Sequence, residues 1–231
     1  MSNRLLIPRK RRFLRPCAAF GAPFAFGGAT GIFNGSPAAV TGTPPITFSS
    51  VSFGGADASR VVVAAVFFAS STNNVVSGVT IGGVTATKVV DAGFTNWSAG
   101  GGAFTGDTGA TLWAAAVPTG TSGNIVVSGP AVSTACAVSC YSVYGSGVTP
   151  LGTLTNATGS VSNSAGVVIG FAANHTGSFT WTALTADVNT SVGLSSGSMF
   201  YSSASVLKQA ANPLSVSVSP TAGTNFGFAG W

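Results

Sequence analysis

Residues able to do acid–base or metal chemistry are scarce in this sequence: four aspartates, no glutamate and one histidine among 231 residues. General acid–base catalysis needs carboxylates or imidazoles held near a substrate proton, usually more than one of them. Asp57, Asp91, Asp107 and Asp187 are scattered between short apolar runs and read most simply as turn formers. His175, in Asn174-His175-Thr176-Gly177, falls at the end of an expected strand and reads as a turn histidine. Cys136, Cys140 and His175 lack zinc-type spacing, and no Gly-x-Ser-x-Gly elbow precedes a helix. The expectation is a protein that is not an enzyme, with no catalytic residues, no metal and no cofactor.

Cysteine chemistry is equally constrained. Cys136 and Cys140 lie in one expected strand, on one face and about 13 Å apart at about 3.3 Å per residue, too far to bond to each other. They read as small buried hydrophobes. Cys17 is the candidate for an intermolecular bridge.

What remains is binding chemistry. Six of the nine cations, Arg4, Arg9, Lys10, Arg11, Arg12 and Arg15, crowd the N-terminus, so residues 16–231 carry three cations against four aspartates. The body is therefore nearly neutral and the +5 net charge belongs to an arm. Phe13, Phe20, Phe24, Phe26 and Phe33 follow with small residues between them and no helical or strand period. That pattern suits an extended strap whose rings anchor on its own domain or on a neighbour. The partner-binding candidates in this arm are Arg9, Lys10, Arg11, Arg12, Phe13, Phe20, Phe24 and Phe26. In the body, the glycine-rich stretch 91–109 reads as a long loop, and its Phe94, Trp97 and Phe104 form the candidate ligand contact, of the kind that stacks on sugars or partner proteins. Trp113 and Trp181 fall within strands and read as core.

The elements that must position these residues are strands. From Ile46 onward, short β-branched or aromatic runs alternate with Gly, Ser, Thr and Asn turns. Strands are expected at 46–53, 60–69, 75–81, 84–91, 110–117, 124–128, 134–144, 166–173, 178–183, 199–206, 214–218 and 224–231. Gly82-Gly83 is a two-residue hairpin signal. Val61-Val-Val-Ala-Ala-Val-Phe-Phe and Val167-Val-Ile-Gly-Phe are apolar at every position and should be central strands covered on both sides. They echo one another, but two equally buried strands of one sandwich would look the same, so the echo alone establishes no repeat. The fold class is all-β: an antiparallel two-sheet sandwich, jelly-roll-like or immunoglobulin-like, over 46–231, with an extended N-terminal arm over 1–45. No stretch reaches the roughly 18 continuous apolar residues that span a bilayer, and the segment after Arg15 is broken by Gly and Pro where a signal peptide needs an apolar helix.

The succession Arg60-Val-Val-Val-Ala-Ala-Val, Val79-Thr-Ile-Gly-Gly-Val-Thr-Ala-Thr, Thr111-Leu-Trp-Ala-Ala-Ala-Val-Pro-Thr-Gly-Thr-Ser and Val138-Ser-Cys-Tyr-Ser-Val-Tyr-Gly, within about residues 55–231, resembles a group of uncharacterised β-rich proteins of tailed bacteriophages and prophages of Gram-negative bacteria. The resemblance implies a virion structural protein: a capsid decoration or cement, a head fibre or a tail-associated component. The expected location is then the particle surface, with capsid or tail proteins as partners, a homo-oligomeric state, and the arm, which lies outside the resemblance, as the attachment device. Nucleic acid and membrane are not expected partners. Two other readings stand beside it. One is a receptor- or carbohydrate-binding module of a tail fibre that meets host-surface glycan through the Trp97 loop; the other is an extracellular bacterial adhesin, cut from a signal peptide near Gly28.

Overall fold

Val61–Ser70 and Val168–Asn174 are buried at every position. Side chains alternate between the two faces of a strand, so a strand without one exposed position needs protein packed on both faces. A single pair of sheets offers its strands only one covered face. The molecule supplies the second by stacking four sheets.

The computed structural model describes residues 28–70, 76–98, 105–129, 133–164, 166–194, 197–208 and 210–231, with the backbone alone at 96–98, 105–106 and 133–134. Its first half comprises β1 (Thr30–Gly35), β2 (Val40–Gly42), β3 (Ile46–Ser52), β4 (Val61–Ser70), β5 (Gly78–Ile81), β6 (Val84–Thr85), β7 (Thr87–Ser98), β8 (Thr105–Ala116), β9 (Ser122–Ser128) and β10 (Ser133–Tyr144). The second comprises β11 (Gly152–Leu154), β12 (Thr158–Val161), β13 (Val168–Asn174), β14 (Thr180–Thr182), β15 (Thr185–Leu194), β16 (Gly197–Val206), β17 (Leu214–Ser219) and β18 (Asn225–Gly230). The first half forms an inner sheet, β1-β10-β4-β8-β7 with β2 also on β10, and an outer sheet, β3-β9-β5-β6. The second forms an inner sheet, β11-β18-β13-β16-β15, and an outer sheet, β12-β17-β14. Neighbouring strands are antiparallel, as in the β4–β8, β13–β18 and β12–β17 pairs. The architecture is an all-β antiparallel sandwich, and it is doubled.

The two halves repeat one topology. Matching β1, β3, β4, β5, β7, β8, β9 and β10 to β11 through β18 in order makes both inner sheets read first-eighth-third-sixth-fifth and both outer sheets second-seventh-fourth. In the first half the fifth strand begins as β6, paired to β5 in the outer sheet, and crosses to the inner sheet as β7. The order is jelly-roll-like, with the fifth strand drawn onto the inner sheet beside the sixth. The β4 and β13 segments, whose likeness by itself established no repeat, are equivalent third strands.

Both inner sheets face each other. β18 lies on β7 and β8, β13 on β8 and β4, β16 on β4, and β15 on β10. Exchanging equivalent strands turns β18-on-β7 into β10-on-β15 and β13-on-β8 into β4-on-β16, the pattern of an approximate two-fold axis between the halves. One core fills this seam, with Val61, Val63, Ala65 and Phe67 of β4 against Ile169, Phe171, Met199 and Tyr201 of the second half. The other face of β4, Val62, Ala64, Val66 and Phe68, packs on the first outer sheet, and Val168 and Ala172 of β13 on the second. Full burial of each large side chain contributes about 1.5–3 kcal/mol.

Four sequence expectations change. Residues 28–45, counted with the arm, are built into the sandwich: β1 and β2 pair with β10, and Phe33 stacks on Tyr141 with ring centroids 5.1 Å apart. The strap anchors there on its own domain, and the polar, glycine-bearing sequence of β1 hid the strand. Stretch 91–109 is no simple loop, because β7 and β8 run through it as a long ribbon pairing Phe94 with Gly109 and Trp97 with Gly106. Gly109 marks close packing instead of a turn, since a Cβ there would lie 2.2 Å from Cζ of Phe68. β15, polar and largely exposed, is an edge strand without an apolar period. Asp91, Asp107 and Asp187 lie in β7, β8 and β15 and are not turn formers, Asp91 accepting from Gly93 N at 2.9 Å at the bulge of β7; Asp57 alone acts as expected, accepting from Ser59 N at 2.7 Å in a turn.

Candidate functional site

Phe94 is the one sequence-selected site residue whose side chain is described. It is 38% exposed on β7, just past a register shift between Asp91 and Phe94 at which Gly93 takes a φ of 75°. Val90, before the bulge, is buried in the seam core, and the extra residue re-aims the strand so that Phe94 faces outward. The ribbon is tied to the second half where the Thr95 hydroxyl meets Oδ1 of Asn225 at 3.1 Å and the Asn225 amide donates to Thr108 O. Trp97 contributes its backbone to the ribbon, and its side chain lies outside the described residues, as do Phe104 and the arm residues Arg9, Lys10, Arg11, Arg12, Phe13, Phe20, Phe24 and Phe26. Earlier on the same strand, before the bulge, Lys88 pairs with Asp91 and sits 5.9 Å above the ring of Trp113. Partial burial pushes the Asp91 carboxyl up, but the hydrogen bonds from Lys88 and Gly93 outweigh it and hold the group below its usual range.

The sheets place the remaining polar chemistry inside. Arg60, 1% exposed, donates six hydrogen bonds to carbonyls of two loops: Nε to Val117, Nη1 to Phe53, Gly54 and Gly55, and Nη2 to Thr119 and Gly120, at 2.7–3.2 Å. The guanidinium fork matches a ring of carbonyls that no ammonium could fill. Across the seam, the Asp187 carboxylate accepts from the Tyr141 hydroxyl at 2.9 Å and from Ser205 at 2.7 Å. Burial raises Asp187 above its ordinary range against those two bonds, and burial together with the Asp187 charge pushes the Tyr141 phenol well up. Tyr141 is fully buried, which makes this pair a clasp between the halves and keeps its hydroxyl from any substrate. His175 lies in the turn after β13, as expected, with burial lowering its pKa. Cys136 and Cys140 are buried, free and on the same core face; burial pushes both thiols up to about 12. Trp113 is core, and Trp181 packs at the edge of the second core with Nε1 donating to Ser202 at 2.8 Å.

Among the described residues, no three His, Cys, Asp or Glu side chains gather as a metal site would require. The outward faces of both outer sheets carry no charged side chain and are rich in hydroxyls, with Thr47, Ser49 and Thr80 around a half-buried Val126 on one, and Thr158, Ser160, Ser215 and Thr182 on the other. No helix among the described residues is long and apolar enough to cross a membrane. Sequence reasoning missed the Arg60 staple and the Asp187 clasp. A lone arginine directly before a wholly apolar strand, with Gly54-Gly55 and Gly120 in the flanking loops, was a legible signal for the first; the second depends on the seam and had none. Comparison with protein families, characterised proteins and solved structures finds no match to this chain.

Proposed function

We propose that this chain is a structural component of a bacteriophage particle, a surface decoration or fibre-type subunit held to capsid or tail proteins through its basic, phenylalanine-rich N-terminal stretch. One observation carries the reading: two jelly-roll-ordered halves are joined back to back through their inner sheets, leaving uncharged Ser/Thr faces outward at both ends of the stack. Such a body has little charge repulsion to keep neighbours apart. Six of the nine cations lie ahead of β1, which is itself an edge strand of the first inner sheet. The jelly-roll order supports the proposal only by fold analogy, since the same fold also serves lectin domains. The test uses particles lacking this protein, mixed with the full chain or with one lacking residues 1–27, which leaves β1 and β2 intact. Binding by the full chain alone supports the proposal; equal binding by both places the interface in the sandwich and removes the anchoring role.

A second reading, a carbohydrate- or receptor-binding module, is favoured by Phe94, which the β7 bulge turns into solvent on a ribbon that also carries Trp97. Saturable glycan binding lost in Phe94→Ala and Trp97→Ala would put this reading first.

A further inference from the structure

A single asparagine in this chain stands directly before a glycine, in Asn34-Gly35 at the end of β1. Such a pair can react with itself. The main-chain nitrogen of the second residue can add to the side-chain amide carbon of the first, closing a five-membered imide and expelling ammonia. Intramolecular attack depends on the two groups being able to meet, and three features of the fold allow it. Asn34 is the extra residue of a bulge: Phe33 pairs with Tyr141 and Gly35 with Cys140, while Asn34 has no partner in the ladder. Gly35 takes a φ of 113°, carries no side chain to crowd the approach, and has nothing within 4 Å of where a Cβ would stand. Both residues are half-buried and line an open groove between β1 and the irregular part of β3 at Ser50, so water reaches them.

Other asparagines are pinned. Asn163, which precedes Ser164, is 1% exposed; its Nδ2 donates to Ala211 O at 2.7 Å and its Oδ1 accepts from Gly166 N at 3.2 Å. Asn189 engages both ends of its amide on the main chain of Phe179, at 2.8 and 3.1 Å. The Asn34 amide leans on a hydroxyl instead, with Nδ2 donating to Oγ of Ser142 at 2.8 Å. That hydroxyl gives its own proton to Phe53 O at 2.6 Å, so a relay runs from β1 through β10 to the loop after β3. We propose that Asn34 is a site of slow self-modification, in which attack by Gly35 N turns its amide into a carboxylate and breaks this relay. The Gly35 nitrogen bonds to Asn34 Cγ as the Cγ–Nδ2 bond breaks, and the displaced nitrogen leaves as ammonia, the proton lost from Gly35 N reaching it by way of solvent. One water then reopens the ring, at Cγ to give aspartate at position 34 or at the main-chain carbonyl to give isoaspartate, which adds a methylene to the strand. The carboxylate can only accept. Ser142 then either turns its proton to the carboxylate and gives up Phe53 O, or leaves two acceptor oxygens facing each other.

The test ages the native full chain at neutral and at mildly alkaline pH beside a sample unfolded in urea. Peptide mapping by mass spectrometry follows both and separates aspartate from isoaspartate. In the native chain Asn34 should convert within about tenfold of its unfolded rate, the cost of breaking one hydrogen bond. Conversion should quicken with hydroxide, while Asn163 reacts only in the unfolded sample. Asn34→Gln, whose amide would have to close a six-membered ring, should stay unmodified at that position. In the converted fraction, amide exchange should quicken at 53–57 and stay unchanged in β4. Native protection of Asn34 as complete as that of Asn163 would show that the fold holds the pair apart. Conversion without quicker exchange at 53–57 would show that Asn34 does not restrain that loop. Either result overturns the proposal.

Discussion

Arg60→Met keeps the aliphatic bulk of a fully buried side chain and removes its donors, which makes it the sharpest probe of how the first half holds together. The six carbonyls that Arg60 binds are not equivalent. Val117 O is buried, with Arg60 as its one side-chain donor among the described residues, whereas Phe53 O keeps the Ser142 hydroxyl at 2.6 Å. Orphaning the Val117 carbonyl costs about 1–3 kcal/mol. The carbonyls of Gly54, Gly55, Thr119 and Gly120 are only part-buried, so water replaces the guanidinium at a net loss of about 0.5 kcal/mol each. The sum is about 3–5 kcal/mol for Arg60→Met, against about 1–2 kcal/mol for Arg60→Lys, whose three donors can still serve Val117 O and two neighbours. Urea unfolding followed by circular dichroism should show the midpoint falling in that order at constant m. Amide exchange should quicken in the 53–57 and 117–121 loops before it does in β4. A Met variant within about 1 kcal/mol of the parent, or a Lys variant as damaged as the Met variant, would show that the carbonyl ring does not hold the loops. If the Met variant fails to fold, the Lys variant and the exchange pattern still decide.

Other consequences follow from single contacts. Gly109→Ala drives a Cβ to 2.2 Å from Cζ of the buried Phe68 ring, so thermal unfolding should show about 1–3 kcal/mol of destabilisation; an unchanged midpoint would mean that the ribbon slides freely over β4. Burial raises Asp187 above the ordinary 3.8, so its contribution to stability is full below that value and is lost as pH rises through the raised one. The stability of Asp187→Asn relative to the parent should therefore improve from about pH 4 towards neutrality, and a pH-independent difference would show that the Tyr141 and Ser205 bonds fully offset the burial. With both thiols pushed up to about 12, Cys136 and Cys140 should resist iodoacetamide at pH 8 in the native protein and react only on unfolding, as peptide mapping would report; labelling of either in the native state would place it outside the core.

Much of this was legible in the residues and some was not, for reasons that can be named. Strands whose one face is buried carry an apolar period, and β3, β9 and β17 were recognisable from it; β10, buried on both faces, was recognisable because small polar residues alternate along it. The Gly82-Gly83 hairpin was recognisable because both positions need positive φ, found at 59° and 82°. β1, β11, β12 and β15 lie at sheet edges with few buried positions, so their sequences lack the alternation that marks a strand. Glycine misled in one place, because Gly109 was needed for the room it leaves Phe68 and not for a turn. Among the candidate contacts, Phe94 was singled out from composition alone, as an aromatic residue in a small-residue stretch, and is exposed. Arg60 was passed over because a lone arginine beside a strand is ordinarily a surface residue, and only the carbonyls of two loops distant in sequence make a place for it.

The number of sheets was also recoverable from two segments, had one constraint been followed through. In an antiparallel sheet a strand usually has one covered and one solvated face and so alternates. Neither β4 nor β13 alternates, although both are central in antiparallel sheets. Two such strands cannot both be covered twice by two sheets, since the outer surface of each sheet in a pair faces water. They require a third layer if they share a sheet and a fourth if they do not; here they lie in different sheets, and the most economical source of two further sheets in one chain is a second copy of the same unit. The likeness of Val61-Val-Val-Ala-Ala-Val-Phe-Phe to Val167-Val-Ile-Gly-Phe is therefore stronger than a resemblance between two buried strands. Each is the third strand of its half, each has its seam face on the other half's inner sheet, and together they lie where the approximate two-fold relates the halves. A polar substitution on the seam face of either, at Val63 or Ile169, should thus weaken both halves together, whereas one at Val66, on the outer-sheet face of β4, should unsettle the first half alone. Amide exchange resolved by half would separate the two outcomes, and independent unfolding of the halves in all three variants would show that the seam does not couple them.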